Sequence, residues 1–274
     1  MLRLFKILGL IITLSPIACN TKRTDTNDLD DTYRITAPNP VTLLYDIVDT
    51  IPHDTSAFTE GFEYHNGSLF ESTGEYGSTS IRKINPENGK TIERFSNNDQ
   101  KIFGEGITLF DGKLYQLTYQ TNQVFVYNQK DLNRSVAELR WPKEGWGLCN
   151  DGEYLLLSDG SSTISYVDPD NFKLIKTLSV NDHSGAVDQL NELEYIDGYI
   201  YANRWHHDKI YKIDPASGYV VGMMHLEGLI QQYAPHFEQD TEKVLNGIAW
   251  DHTHEIMYLT GKNWPLIFKV KLHR

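Results

Sequence analysis

Phe103-Gly104-Glu105-Gly106-Ile107 is one of five related phrases in this chain. Phe58-Thr59-Glu60-Gly61-Phe62 precedes it, and Gly145-Trp146-Gly147-Leu148, Leu190-Asn191-Glu192-Leu193-Glu194 and Leu245-Asn246-Gly247-Ile248-Ala249 follow. In the first four units a short turn and a second apolar run come next. These are Asn66-Gly67 before Ser68-Leu69-Phe70, Asp111-Gly112 before Lys113-Leu114-Tyr115, Asp151-Gly152 before Tyr154-Leu155-Leu156, and Asp197-Gly198 before Tyr199-Ile200-Tyr201. Unit starts lie about 40–55 residues apart, the spacing of a four-stranded propeller blade. A ring of blades brings the same strand of every unit to a common axis. The repeat therefore predicts an all-β, five-bladed propeller with Glu60, Glu105, Trp146, Asn191 and Asn246 around one tunnel.

The remainder of each unit reads as two more strands. Ser80-Ile81-Arg82-Lys83-Ile84, Gln123-Val124-Phe125-Val126-Tyr127, Thr163-Ile164-Ser165-Tyr166-Val167 and Lys209-Ile210-Tyr211-Lys212-Ile213 occupy equivalent places. Turn chemistry follows each, as in Asp168-Pro169-Asp170-Asn171 and Asp214-Pro215-Ala216-Ser217-Gly218. The fifth unit starts at Leu245 and lacks an outer strand, while an unassigned apolar run occupies residues 41–48. That run is expected to pair with the C-terminal blade and close the ring, hiding open sheet edges. Residues 228–243 break the rhythm and are expected to hold a short helix or lid.

Composition narrows the function classes. The formal net charge is −12, and no Lys/Arg block lies in the folded part. Phosphate binding needs a basic footprint, so no nucleic-acid partner is expected. At the N-terminus Arg3 and Lys6 precede an apolar run from Ile7 to Leu14, too short for a stable span. Ile17-Ala18-Cys19 then resembles a lipoprotein processing site, although Pro16 departs from the usual leucine. Three parts are expected: a signal segment over 1–19 with Cys19 lipidated, a flexible acidic tether over 20–40, and the propeller over 41–274. Several acyl chains on Cys19 would anchor the protein to a membrane in the bacterial cell envelope, as a periplasmic or outer-membrane lipoprotein. Cys149 is then a lone thiol, so a disulfide framework and a cysteine metal site are excluded. It is expected to be buried and structural.

Glu105 is the foremost candidate for chemistry. A carboxylate on an innermost strand is dehydrated, which raises its pKa and suits it to proton exchange near neutrality. An acid bonded to tunnel amides is an equally good reading of the spacing. Lys262, in Thr260-Gly261-Lys262-Asn263-Trp264-Pro265, could stabilise an oxyanion or partner Glu105, but its position alone favours a solvated turn lysine. Trp146 suits a pocket wall or simple core packing, and Asn191 and Asn246 suit substrate contacts or ties between blades. His206 and His207 are adjacent and point to opposite faces of a strand, so they do not share a metal ion. No metal motif and no phosphate-cradling loop is present.

Glu71-Ser72-Thr73-Gly74-Glu75-Tyr76-Gly77, Phe103-Gly104-Glu105-Gly106-Ile107-Thr108, Leu114-Tyr115-Gln116, Gly145-Trp146-Gly147-Leu148, Ser158-Asp159-Gly160, Leu190-Asn191-Glu192-Leu193-Glu194-Tyr195, Leu245-Asn246-Gly247-Ile248-Ala249-Trp250-Asp251 and Thr260-Gly261-Lys262 run in order through the domain. On these motifs the chain resembles the glutaminyl-peptide cyclotransferases of the plant and bacterial propeller type. The resemblance implies that no cofactor or catalytic metal is needed, and a monomer is expected. It also implies conversion of the N-terminal glutamine of peptides or proteins to pyroglutamate with loss of ammonia. It assigns proton transfer to Glu105, polarisation of the carboxamide oxygen to Lys262, orientation to Asn191 and packing on the substrate to Trp146. Two positions depart from the family's pattern: Glu60 stands where Gln is frequent, and Tyr119 stands near a frequent tryptophan. Both are placed at the substrate. Two rival classes are a non-catalytic propeller that binds peptides or envelope partners, and a calcium-dependent lactone hydrolase, which needs several convergent carboxylates.

Overall fold

The computed structural model describes residues 37–273. The expected signal segment 1–19 with Cys19, and the tether as far as residue 36, lie outside the described residues. The described chain forms five sheets of the propeller kind, antiparallel but for one edge strand, a two-stranded hairpin of Asn181–Asp182 with Gly185–Ala186, and one short helix, Leu229–Tyr233. The innermost strands are Thr59–His65, Gly104–Phe110, Leu148–Asn150, Leu190–Ile196 and Leu245–Asp251. They contact one another in cyclic order, the fifth against the first. Inner strands have neighbours on both faces and are almost wholly buried, whereas the outer strands Thr91–Asn97 and Leu174–Ser179 are largely exposed. Apolar clusters fill the space between blades. In one of them Phe70 and Ile81 of the first blade meet Ile107, Leu109 and Leu114 of the second.

Convergence at the axis explains the glycines of the repeated phrase. A Cβ on Gly61 would lie 2.5 Å from the Ile107 amide nitrogen, and one on Gly106 would lie 2.5 Å from that of Leu148. On Gly147 it would lie 2.0 Å from the Asn191 carbonyl oxygen. Neighbouring backbones are close enough to hydrogen-bond directly, as Gly106 N–H does to the Trp146 carbonyl at 2.6 Å. In four blades the pairing of the first two strands slips at the same place: between Thr59 and Gly61, Gly104 and Ile107, Leu190 and Leu193, and Leu245 and Ile248. A bulge bends the strand and re-aims the residues at the slip. Glu60, Glu105, Asn191 and Asn246 sit within these bulges.

The run expected as one strand over 41–48 is divided. Val41–Thr42 adds in parallel to Val220–His225 at the edge of the fourth blade. Tyr45–Pro52 then pairs antiparallel with Leu266–Leu272 and supplies the fifth blade's outer strand. The division falls at Leu43, whose amide bonds to the Met223 carbonyl and whose side chain packs over Gly222. Trp146 also departs from expectation. It lies just ahead of the short strand Leu148–Asn150, held by hydrogen bonds between its N–H and the Ser158 carbonyl and between Ser158 N–H and the Gly147 carbonyl. Cys149 is buried, and burial pushes its thiol pKa up. His206 is exposed in a turn with φ of 62°.

The far part of the tunnel is lined by acids that work structurally. Glu192 spans two blades, its two oxygens accepting from Phe62 N–H at 3.1 Å and Ile248 N–H at 2.8 Å. Glu63 accepts from Leu109 N–H at 2.8 Å. Burial pushes Glu63 up to about 7 despite the opposing hydrogen bonds from Leu109 and Thr108. Burial also pushes Glu192 and Glu194 well above the usual carboxylate range.

Two outcomes are expected. Gly147→Ala should lower stability by about 3 kcal/mol through overpacking. Gly67→Ala should cost only about 1 kcal/mol, because its φ is 78° and no atom stands in the way. Equal melting temperatures for the two variants would contradict the close approach. Secondly, an acid with a raised folded pKa binds its proton more tightly in the folded state. Its stabilisation is complete below the ordinary value of 4.5 and is lost as pH rises through about 7. The melting temperature of Glu63→Gln should therefore fall less than that of the parent between about pH 5 and pH 8. Parallel curves would refute this.

Candidate active site

A cavity of about 620 Å³ opens where the innermost strands begin. Its lining includes Glu60, Glu105, Tyr119, Trp146, Asn191 and Lys262, so all six residues singled out for catalysis or substrate binding share one space. Asn246 stands behind it. The Asn246 amide nitrogen donates to the Thr59 carbonyl at 2.9 Å and to Glu60 Oε2 at 3.2 Å, tying the fifth blade to the first.

Lys262 is buried rather than solvated. It follows strand Ile256–Gly261 in a turn pinned by Lys262 N–H to the Val244 carbonyl at 2.9 Å and Asn263 N–H to the Ala57 carbonyl at 2.7 Å. The turn closes tightly because Gly261 lies flat against the Trp264 ring, where a Cβ would come within 2.5 Å. Its Nζ donates to Glu60 Oε1 at 2.6 Å and lies 4.5 Å from the centre of the Phe58 ring. Lys262 therefore partners Glu60, not Glu105, in this structure. Burial raises the pKa of Glu60, with Lys262 opposing.

Glu105 is also buried, yet its carboxyl makes no hydrogen bond to another described residue. Burial raises its pKa well above the ordinary range. The Glu60 charge adds to the rise, Lys262 opposes it, and Glu144 adds further. Two acids and one ammonium thus share the floor, and the acid without a partner feels its neighbour's charge as well as burial. The polar groups around it are incompletely used. Asn191 Oδ1 and Trp205 Nε1 are buried without a protein partner among the described residues, and both residues line the cavity. A site with an unused acceptor and an unused donor is prepared for a ligand bearing N–H and C=O groups.

Aromatic rings make the walls. Trp146 and Trp205 meet edge to face at 5.7 Å. Phe103 packs against Phe58 and Tyr119, each at 6.0 Å. Ser158 serves the frame: its hydroxyl accepts from Gly147 N–H at 2.8 Å and donates to the Asn191 carbonyl at 2.7 Å. Among the described residues, no three His, Cys, Asp or Glu side chains are arranged to hold a metal ion. Several lining residues were not singled out from sequence. Phe58 and Phe103 carried a signal, because each precedes its acid by two residues in the repeated phrase. Trp205 carried none. Asp240, Thr241, Glu242 and Lys243 come from the end of the insertion, which therefore walls the cavity mouth.

The glutamine cyclotransferase family model matches residues 14–272. A glutaminyl-peptide cyclotransferase of Arabidopsis thaliana is 39% identical over 228 residues, covering 83% of this chain and 71% of the relative. A crystal structure of Myxococcus xanthus glutaminyl cyclase aligns with a TM-score of 0.78 at 34% identity, over 85% of this chain and 98% of the other. The fold and cavity define an enzyme built on a five-bladed propeller. The chain belongs to the glutamine cyclotransferase family.

Replacing Glu60 by Gln keeps an oxygen for Lys262 but removes a negative charge beside Glu105. Glu105 should then titrate at lower pH, as read by carbon-detected NMR of its carboxyl. A titration that stays in place or moves upward would show that Glu60 does not act on Glu105.

Proposed function

We propose that this cavity cyclises the N-terminal glutamine of peptides and proteins to pyroglutamate and releases ammonia, by acid/base chemistry that needs no metal. The observation that carries the reading is Glu105: a buried carboxyl with a raised pKa, bonded to no neighbour among the described residues, in a pocket with unused hydrogen-bonding groups. Family membership supplies the reaction class.

The reaction joins the α-amine nitrogen to the side-chain carboxamide carbon and breaks the bond from that carbon to the amide nitrogen. Both partners belong to one residue, so the enzyme's first task is to hold the side chain folded back on its own amine. Asn191 Oδ1 accepts an N–H of the substrate, Trp146 and Tyr119 pack against its apolar atoms, and Glu60 lies within reach of its α-amine, which reacts in the neutral form. As the nitrogen attacks, it loses a proton to the Glu105 carboxylate. The carbonyl oxygen gains negative charge and is met by Lys262. Glu105 then returns that proton to the departing nitrogen, which leaves as ammonia and restores the carboxylate. One acid suffices because its raised pKa makes both transfers possible near neutrality. The base form of Glu105 exists above its pKa, so activity is lost as pH falls through that value.

We also infer that Cys19 anchors the enzyme in the bacterial cell envelope. Arg3 and Lys6, the apolar run 7–14, and the polar sequence after Ile17-Ala18-Cys19 support this.

Glu105→Gln should reduce turnover of a Gln-initiated dipeptide by roughly 10²–10⁴-fold in a coupled ammonia assay, with the fold retained. Turnover within a few-fold of the parent would remove Glu105 from the mechanism. Loss of activity with EDTA would reject the metal-free reading. Mass spectrometry of the mature protein should find an acylated Cys19 as its first residue, and an unmodified terminus would refute the anchor.

A further inference from the structure

We propose that the cavity mouth selects glutaminyl peptides whose second residue is basic, lysine or arginine. This rests on the cyclase reading above and names its preferred substrate class. Five carboxyls and two lysines line the cavity. Each lysine is already engaged by an acid: Lys262 with Glu60 at 2.6 Å, and Lys243 with Asp240 at 3.0 Å. Glu105 stands on the floor. Glu75 and Glu242 remain at the exposed rim, and neither has a base within ion-pair distance among the described residues. Glu144 adds a further charge near the floor, accepting from Gln120 at 2.9 Å and from Trp146 Nε1 at 3.4 Å and contributing to the raised pKa of Glu105. The mouth therefore carries uncompensated negative charge, against a net charge of −12 for the whole chain.

The aromatic groups of the rim point to the same ligand. Tyr76 is 51% exposed, an unusual position for a large ring, and packs edge to face on Phe103 at 5.2 Å. Glu75, the residue before it, is exposed too, and both line the cavity. A ring face next to a carboxylate receives a cationic side chain through both its charge and its apolar stem. The turn that presents the pair is fixed, with Glu75 at φ of 79° and its carbonyl accepting from Ser78 N–H and the Thr79 hydroxyl. Deeper in, the buried Asn191 oxygen without a partner is the contact that seats the N-terminal residue. With the glutamine held there, the next side chain lies toward the rim.

The test compares three amidated tetrapeptides, Gln-Lys-Ala-Ala, Gln-Ala-Ala-Ala and Gln-Glu-Ala-Ala. Their kcat/KM values are measured by ammonia release at about 20 mM and about 500 mM salt. The lysine peptide should exceed the alanine peptide by about tenfold at low salt, the glutamate peptide should fall below it, and high salt should compress the series. In the double variant E75Q/E242Q the lysine-to-alanine ratio should shrink to about twofold. The corresponding pyroglutamyl peptides are titrated by calorimetry, which ranks affinities without turnover. Equal kcat/KM for lysine and alanine peptides, or a ratio unchanged in E75Q/E242Q, would overturn the proposal. If no peptide is turned over, the cyclase reading fails, and the calorimetric order of lysine, alanine and glutamate peptides still decides the rim: lysine tightest supports it, and any other order rejects it.

Discussion

The whole structure depends on how closely five backbones can approach one axis. Where Gly61, Gly106 and Gly147 meet their neighbours, there is no room for even a methyl group. The approach has two effects. It lets peptide groups of adjacent blades bond directly, and it forces a bulge at the start of four inner strands. A regular strand would send every second side chain into a neighbouring blade. The bulge turns Glu60, Glu105 and Asn191 toward the cavity instead. The residues at the chemistry and the glycines that admit them are therefore one device.

Burial then sets the electrostatics. Placing Glu60, Glu105 and Lys262 on a buried floor leaves the group one positive charge short. Lys262 bonds to Glu60, so Glu105 meets both the loss of water and a carboxylate neighbour, and holds its proton more firmly. Further along the tunnel the same residue type does different work. Glu192 accepts two backbone N–H groups from two blades and is a strut. The difference lies in bonding: a carboxylate whose lone pairs are taken by amides stays in place, while one with none of them taken is available to a visitor.

Much of this was legible in the sequence because the axial constraint repeats. The phrase at Phe58, Phe103, Gly145, Leu190 and Leu245 marks the five inner strands, and in four of them the residue inside it, Glu60, Glu105, Trp146 or Asn191, lines the cavity. What repetition does not encode was harder to read. Lys262 follows a strand like any turn lysine, and its burial comes from Gly261 flattening against Trp264. Trp205 lies in the turn between Tyr199–Arg204 and His207–Ile213, a connection whose residues differ from blade to blade and carry no repeated phrase. Glu242 reaches the mouth through the insertion, whose path depends on tertiary packing of Leu229 and Ile230. The run over 41–48 reads as one apolar strand, yet it serves two blades because Leu43 is captured by the fourth on its way to the fifth.

That last arrangement has a consequence for how the molecule comes into being. The strand Tyr45–Pro52 finds its partner only in Leu266–Leu272, at the opposite end of the chain. Pairing so distant in sequence is slow to form, because the intervening chain has to be ordered first. Once made, it covers the outer edge of the fifth sheet with a strand from far upstream, so that sheet holds residues from both sides of the other four.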